Sequence, residues 1–175
     1  MPRRLTGSER DTEFEEFLLA QRGPLVRMAR LLTAGDHALA EDLVQTTLTR
    51  LYVAWPRVRR AGNPVGYART SLTHAFVDER RRPHRRETPT DEVLDTRSYD
   101  ADARPADAVL AALRDLPPRQ RAVVVLRHWL DLDIAETARL LSCSTGTVKS
   151  QNAKALGHLR AVLEPTITPT TDRRS

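Results

Sequence analysis

Apolar positions recur at helical spacing from the start of the chain. Phe14, Phe17, Leu18, Leu25, Met28, Ala29, Leu31 and Leu32 follow an i, i+3, i+4 pattern, with Pro24 expected to kink or restart the helix. Gly35-Asp36 ends this element and leaves Asp36 to cap a second helix. The stripe Leu39, Leu43, Val44, Leu48, Leu51, Tyr52 and Trp55 runs along that helix and stops at Pro56. Asn63-Pro64 opens a third helix, proline standing where the first turn needs no N–H, and the element runs to about Arg82. After Pro105, helical spacing returns at Val109, Leu110, Leu113 and Leu116, breaks at Pro117-Pro118, and resumes through Val123–Leu130. Segments Ile134–Leu141 and Thr147–Leu163 follow, separated by the polar turn Ser142–Ser144. No segment alternates with the period of two that a strand requires. The pattern predicts an all-α fold of two small helical domains.

The last two segments have the layout of a helix-turn-helix. Small Ala138 sits where the helices cross, Ser142 in the turn, and Val148 where the second helix must anchor in the core. Ser144 is placed to cap that helix. With Val148, Ala155, Leu156 and Leu159 inward, Thr147, Ser150, Gln151 and Lys154 face outward to a major groove, and Lys149 suits a phosphate. A glutamine amide there both donates to and accepts from an adenine edge.

Charge sharpens this picture. The net charge is +5, carried almost wholly by arginine, since lysine occurs only at 149 and 154. Arginine excess suits a polyanionic partner and also reflects GC-rich coding, so the bias alone separates neither cause. Its distribution says more. Arg57–Arg86 is +7 and Leu116–Leu163 is +4, whereas Glu87–Asp115 between them is −5. The stretch around Pro83–Pro105 has three prolines and few large apolar residues, too little to offset its ordering entropy. The expected organisation is a first domain over 12–83, a flexible acidic linker over 84–105, a second domain over 106–163 and a disordered tail over 164–175.

Other chemistry is thin. Apolar runs such as Ala122–Leu126 fall far short of a membrane span, the N-terminus lacks a signal-peptide core, and a single cysteine, Cys143, fits a reducing cytoplasm. The five histidines are dispersed and no Gly-rich phosphate loop occurs, so no catalytic residues, no metal site and no cofactor are expected. Cys143 reads as a small filler of the turn.

Several ordered motifs resemble one family, the sigma-70 type RNA polymerase sigma factors in their extracytoplasmic-function form, over about Phe14–Leu163. Ala40-Glu41-Asp42-Leu43-Val44-Gln45 resembles the polymerase-binding segment, which implies that Asp42, Leu43, Val44 and Gln45 dock on core polymerase. Asn63-Pro64-Val65-Gly66-Tyr67, through His74 and Val77-Asp78 to Arg80-Arg81-Arg82, is similar to the segment that opens and reads the −10 element. The resemblance also implies a pocket for an extruded base in the loop Arg57–Asn63. Leu116-Pro117-Pro118-Arg119-Gln120-Arg121, Val125-Leu126-Arg127 and Gly146-Thr147-Val148-Lys149-Ser150 are similar to the reader of the −35 element, implying DNA contacts from Thr147, Lys149, Ser150, Gln151 and Lys154. The implied partners are core RNA polymerase, through its β′ clamp and β flap, and promoter DNA. An anti-sigma factor stays open as a third. Three departures, His74 for asparagine, Ser142 for glycine and Gln151 for arginine, bear on promoter sequence rather than class.

Some roles remain divided. Tyr67 and Phe76 suit either the core or stacking on an unpaired base. The arginines from Arg80 to Arg86 suit phosphate contacts or a solubilising tail. The acidic linker could mimic nucleic acid in the RNA exit channel. A free-standing helix-turn-helix regulator is the main rival, and an enzyme with a basic DNA-binding tail the weaker one.

Overall fold

Helix α1 (Gly7–Leu32) packs antiparallel on α2 (His37–Arg60), and both pack on α3 (Pro64–Arg81). The computed structural model describes residues 7–81 and 105–167. Residues 82–104 and 168–175, which hold Arg82, the expected linker except Pro105, and most of the expected tail, lie outside the described residues.

Asp36 caps α2 as its sequence position requires, its Oδ1 accepting from Leu39 N at 2.9 Å. Of the stripe along α2, Leu39, Leu43, Val44, Leu48, Leu51 and Trp55 are inside, while Tyr52 lies at its exposed edge. It meets Phe14, Leu25, Met28, Ala29 and Leu32 from α1 and Ala68, Leu72, Ala75 and Phe76 from α3. Three buried threonines, Thr47, Thr73 and Thr137, satisfy their hydroxyls on the carbonyl four residues back, so each adds a methyl to the core at no cost in hydrogen bonds.

Two prolines behave differently from expectation. Helix α1 starts at Gly7 and runs unbroken past Pro24, and α2 continues through Pro56 to Arg60. A proline inside a helix orphans the carbonyl four residues earlier. For Pro56 that carbonyl belongs to Tyr52, and the Arg10 guanidinium donates to it at 3.3 Å while stacking 4.1 Å from the Tyr52 ring centre. The Tyr52 hydroxyl donates to Asp11 at 2.8 Å, and this bond raises the phenol's pKa above its usual value.

In the second half, α4 (Pro105–Arg114), α5 (Pro118–Val124), α6 (Ile134–Leu140) and α7 (Thr145–Ile167) extend the same apolar cluster through Val123, Leu126, Ala138 and Val148 and add a small one of Leu113, Leu116, Val124 and Ala155. Helix α5 does not continue as an α-helix to Leu130. It passes at Val125 into a π-helical turn that ends at Trp129. Helix α7 extends to Ile167, taking in the first four residues of the expected tail. Among the described residues there are only helices and turns, and no helix is long and apolar enough to cross a membrane.

Candidate nucleic-acid interface

The pair α6 and α7 forms the helix-turn-helix. Asp133 caps α6 through Glu136 N at 2.7 Å, and Ser144 caps α7 through Thr147 N at 3.0 Å. Ala138 and Val148 are buried at the crossing. Ser142 takes φ +50°, the left-handed turn geometry that a glycine adopts without strain and a serine only at a cost. Ala155 is fully buried and Leu156 and Leu159 half-buried, so α7 turns the opposite side to solvent.

That side carries Lys149, Ser150 and Lys154, all exposed. Thr147 and Gln151 are half-buried rather than fully outward. The Thr147 hydroxyl lies 2.9 Å from Ser144 Oγ and belongs to the cap, while Ser150 Oγ donates to Thr147 O at 3.1 Å. Both hydroxyls are thus tied to the backbone or cap, which leaves the Gln151 amide and the two ammonium groups as the longest polar reach on this face. Sequence reasoning missed Asn152, one residue on. Its Oδ1 is 2.9 Å from His128 Nε2 on the π-helical turn, fixing α7 against its neighbour. A polar pair 24 residues apart with no periodic signal gave no way to find it.

The candidate residues of the first half fall into two clusters. On the α2–α3 side, Asp42, Gln45, Thr46 and Arg50 from α2 share a cleft with Asp78 and Glu79 from α3. Asp42 and Gln45 are exposed, but Leu43 and Val44 are 4% and 0% exposed. Both belong to the apolar stripe; Leu43 still lines the floor of this cleft, whereas Val44 is packed fully inside. They hold the polar rim in place. Asp78, expected with the −10 residues, lines this cleft together with Asp42.

The other cluster lies at the start of α3. Asn63 caps the helix, its Oδ1 accepting from Gly66 N at 2.8 Å, and a Cβ at Gly66 would push the Asn63 amide out of this position. Residues 57–60 are helical, so the connection expected as a loop over Arg57–Asn63 shrinks to Ala61–Asn63, with Gly62 at φ +77°. Tyr67 is half-buried against the core and Phe76 is buried, which removes Phe76 as a stacking platform. His74 is exposed. Arg80 and Arg81 end α3, and Arg82 lies outside the described residues. Cys143 is half-buried against the core of the turn. Among the described residues no group of three or more His, Cys, Asp or Glu side chains is disposed to hold a metal ion.

Comparison with known proteins agrees with both halves. Residues 18–87 match the family model for sigma-70 region 2, and residues 106–159 that for sigma-70, region 4. The RNA polymerase sigma-E factor of Streptomyces avermitilis is 38% identical over 154 residues, covering 87% of this chain and 86% of the relative. The ECF RNA polymerase sigma factor SigM of Mycobacterium tuberculosis is 30% identical over 151 residues, covering 86% of this chain and 76% of the relative. Among solved structures, the sigma factor RpoE of Bartonella quintana, crystallised with the anti-sigma factor NepR, superposes with a TM-score of 0.65 at 25% identity, over 87% of this chain and 97% of that one. A capped helix-turn-helix, a polar cleft on α2 and these matches over both halves make one conclusion: the chain belongs to the sigma-70 family, in its extracytoplasmic-function branch, and is a promoter-specificity sigma factor that binds core RNA polymerase and promoter DNA.

Proposed function

We propose that the two halves divide the work of this sigma factor. The cleft lined by Asp42, Gln45 and Asp78 docks on the β′ clamp of core polymerase. A polar rim over a buried stripe is the surface that a partner helix meets. Asn63, Tyr67 and His74 engage the −10 element as it melts, and the arginines at Arg80, Arg81 and Arg82 neutralise phosphates, a sequence-independent contact. Helix α7 reads the −35 element through Gln151 and Ser150, with Lys149 and Lys154 on phosphate and Thr147 in the cap, while this half rests on the β flap. Melting draws on binding energy, because an extruded base gains contacts that exist only in the open form. The factor catalyses nothing itself and acts in the cytoplasm. An anti-sigma factor is a fitting third partner, by analogy with the Bartonella relative.

The observation that carries this reading is α7, whose buried Val148 and Ala155 oppose exposed Lys149, Ser150 and Lys154 at a capped N-terminus. Mapping transcription starts with purified core polymerase and this chain tests it. A discrete set of new starts preceded by shared −35 and −10 sequences is expected. No starts beyond those of core alone, together with dimeric binding to duplex DNA, would favour the free-standing regulator.

A further inference from the structure

Helix α2 lacks a rung just before its last turn. Pro56 has no N–H to give the Tyr52 carbonyl, so residues 57–60 continue the helix past a gap in its hydrogen-bond ladder. Val58 is buried and anchors the inner side of that turn. On the outer side the ties come from the first two turns of α1. The Arg10 guanidinium donates to the Tyr52 carbonyl at 3.3 Å, and Glu13 pairs with Arg59, whose Nη2 donates to Glu13 Oε1 at 2.7 Å. Arg60 folds back on its own helix, its Nε donating to Pro56 O at 2.9 Å.

The connection that follows is short. Ala61 N and Gly62 N donate to the Arg57 and Arg59 carbonyls at 3.1 and 3.0 Å, Gly62 takes φ +77°, and Asn63 then caps α3. The place of Asn63 therefore depends on the last turn of α2, and α1 steers that turn. We propose that Arg10 and Glu13 are positioning residues for the −10 element: from α1 they brace the end of α2 and so fix where the Ala61–Asn63 turn presents Asn63, which rests on the reading of Asn63 as a −10 contact. A binding group keeps its aim only when the residues behind it are locked. An ion pair as exposed as Glu13–Arg59 adds little to stability, so the brace tunes base preference while the fold stands without it.

The test is a promoter library randomised across the −10 element behind one fixed −35 sequence, transcribed by core polymerase with the full chain as wild type, Glu13→Arg, Arg59→Glu or the double exchange. Each single variant sets like charges face to face and should relax base preference within the −10 element by about three- to fivefold, the range of an exposed pair, with helicity unchanged. Arg10→Met, which leaves the Tyr52 carbonyl unmet, should relax the same positions. The double exchange rebuilds the pair with its sign reversed and should restore the wild-type ranking of sequences. Lower output with an unchanged ranking in both single variants would make the pair merely structural, and a double exchange that ranks like Arg59→Glu would assign Arg59 to the DNA itself; either result overturns the brace. Asn63→Ala in the same library separates the brace from the reading beneath it. If Asn63→Ala changes the ranking and Glu13→Arg does not, the brace fails alone; if neither does, it falls together with the −10 role of Asn63.

Discussion

The two halves of this sigma factor are stabilised by different means. The first rests on helices of 26, 24 and 18 residues and on large side chains. Phe14 stands edge-on to Tyr52 and Trp55, with centroids 5.1 and 5.2 Å away, and Phe17 packs on the same indole. The second sets short elements, α5, the π-helical turn and α6, of seven, five and seven residues, between the 10-residue α4 and the 23-residue α7, over valines, alanines and leucines. Helices that short are not stable by themselves. Besides the apolar cluster they share with the first half, polar joints hold them: the Asp133 and Ser144 caps, the Arg127 bond to the Leu132 carbonyl across the turn, and Arg121 closing the end of α4. A docking surface can stand on a thick core, whereas a reading helix must project, and polar joints fix it where apolar area is short.

Four substitutions probe that contrast, in order of expected effect. Trp55→Ala should cost ~3–5 kcal/mol in urea unfolding, and hydrogen exchange should place the loss in α1 and α2. Equal loss of protection in α7 would show one cooperative unit. Arg121→Met should cost roughly 3 kcal/mol, since the Leu113 and Leu116 carbonyls lose their buried donor. A loss well under 1 kcal/mol would mean that water replaces the guanidinium. Ser144→Ala should cost about 1 kcal/mol and fray the start of α7 without touching the first half. Ser142→Gly should act in the other direction, stabilising by about 1 kcal/mol through relief of the left-handed backbone, as a raised urea midpoint would report.

The same contrast explains what the sequence discloses. Long apolar stripes and end signals such as Asp36, Asn63-Pro64, Pro117-Pro118 and Ser144 mark the helices, because period and caps are local properties. Passage through Pro56 is not local: the group that stabilises it, Arg10, lies 42 residues from the carbonyl it meets at Tyr52. The π-helical turn and the burial of Arg121 also depend on tertiary partners, and arginine is ordinarily a surface residue. In the candidate site, the exposed Asp42, Gln45, Lys149 and Lys154 follow directly from the apolar pattern. The motif holding Leu43 and Val44 spans both faces of one helix, and only the packing shows Leu43 at the cleft floor and Val44 in the core. That Asp78 shares a cleft with Asp42 depends on how α3 crosses α2, which no spacing encodes.

The division of labour is tested most directly by transcribing a promoter library randomised across the −35 element with core polymerase and an excess of wild-type, Asp42→Arg or Gln151→Ala factor. Asp42→Arg reverses charge on the exposed docking rim and should lower output from every promoter by the same large factor, leaving their ranking intact. Gln151→Ala should keep total output near wild type while relaxing preference at one −35 position by roughly 1–3 kcal/mol. A ranking changed by Asp42→Arg, or one left identical by Gln151→Ala, would contradict the assignment of docking to the first half and reading to the second.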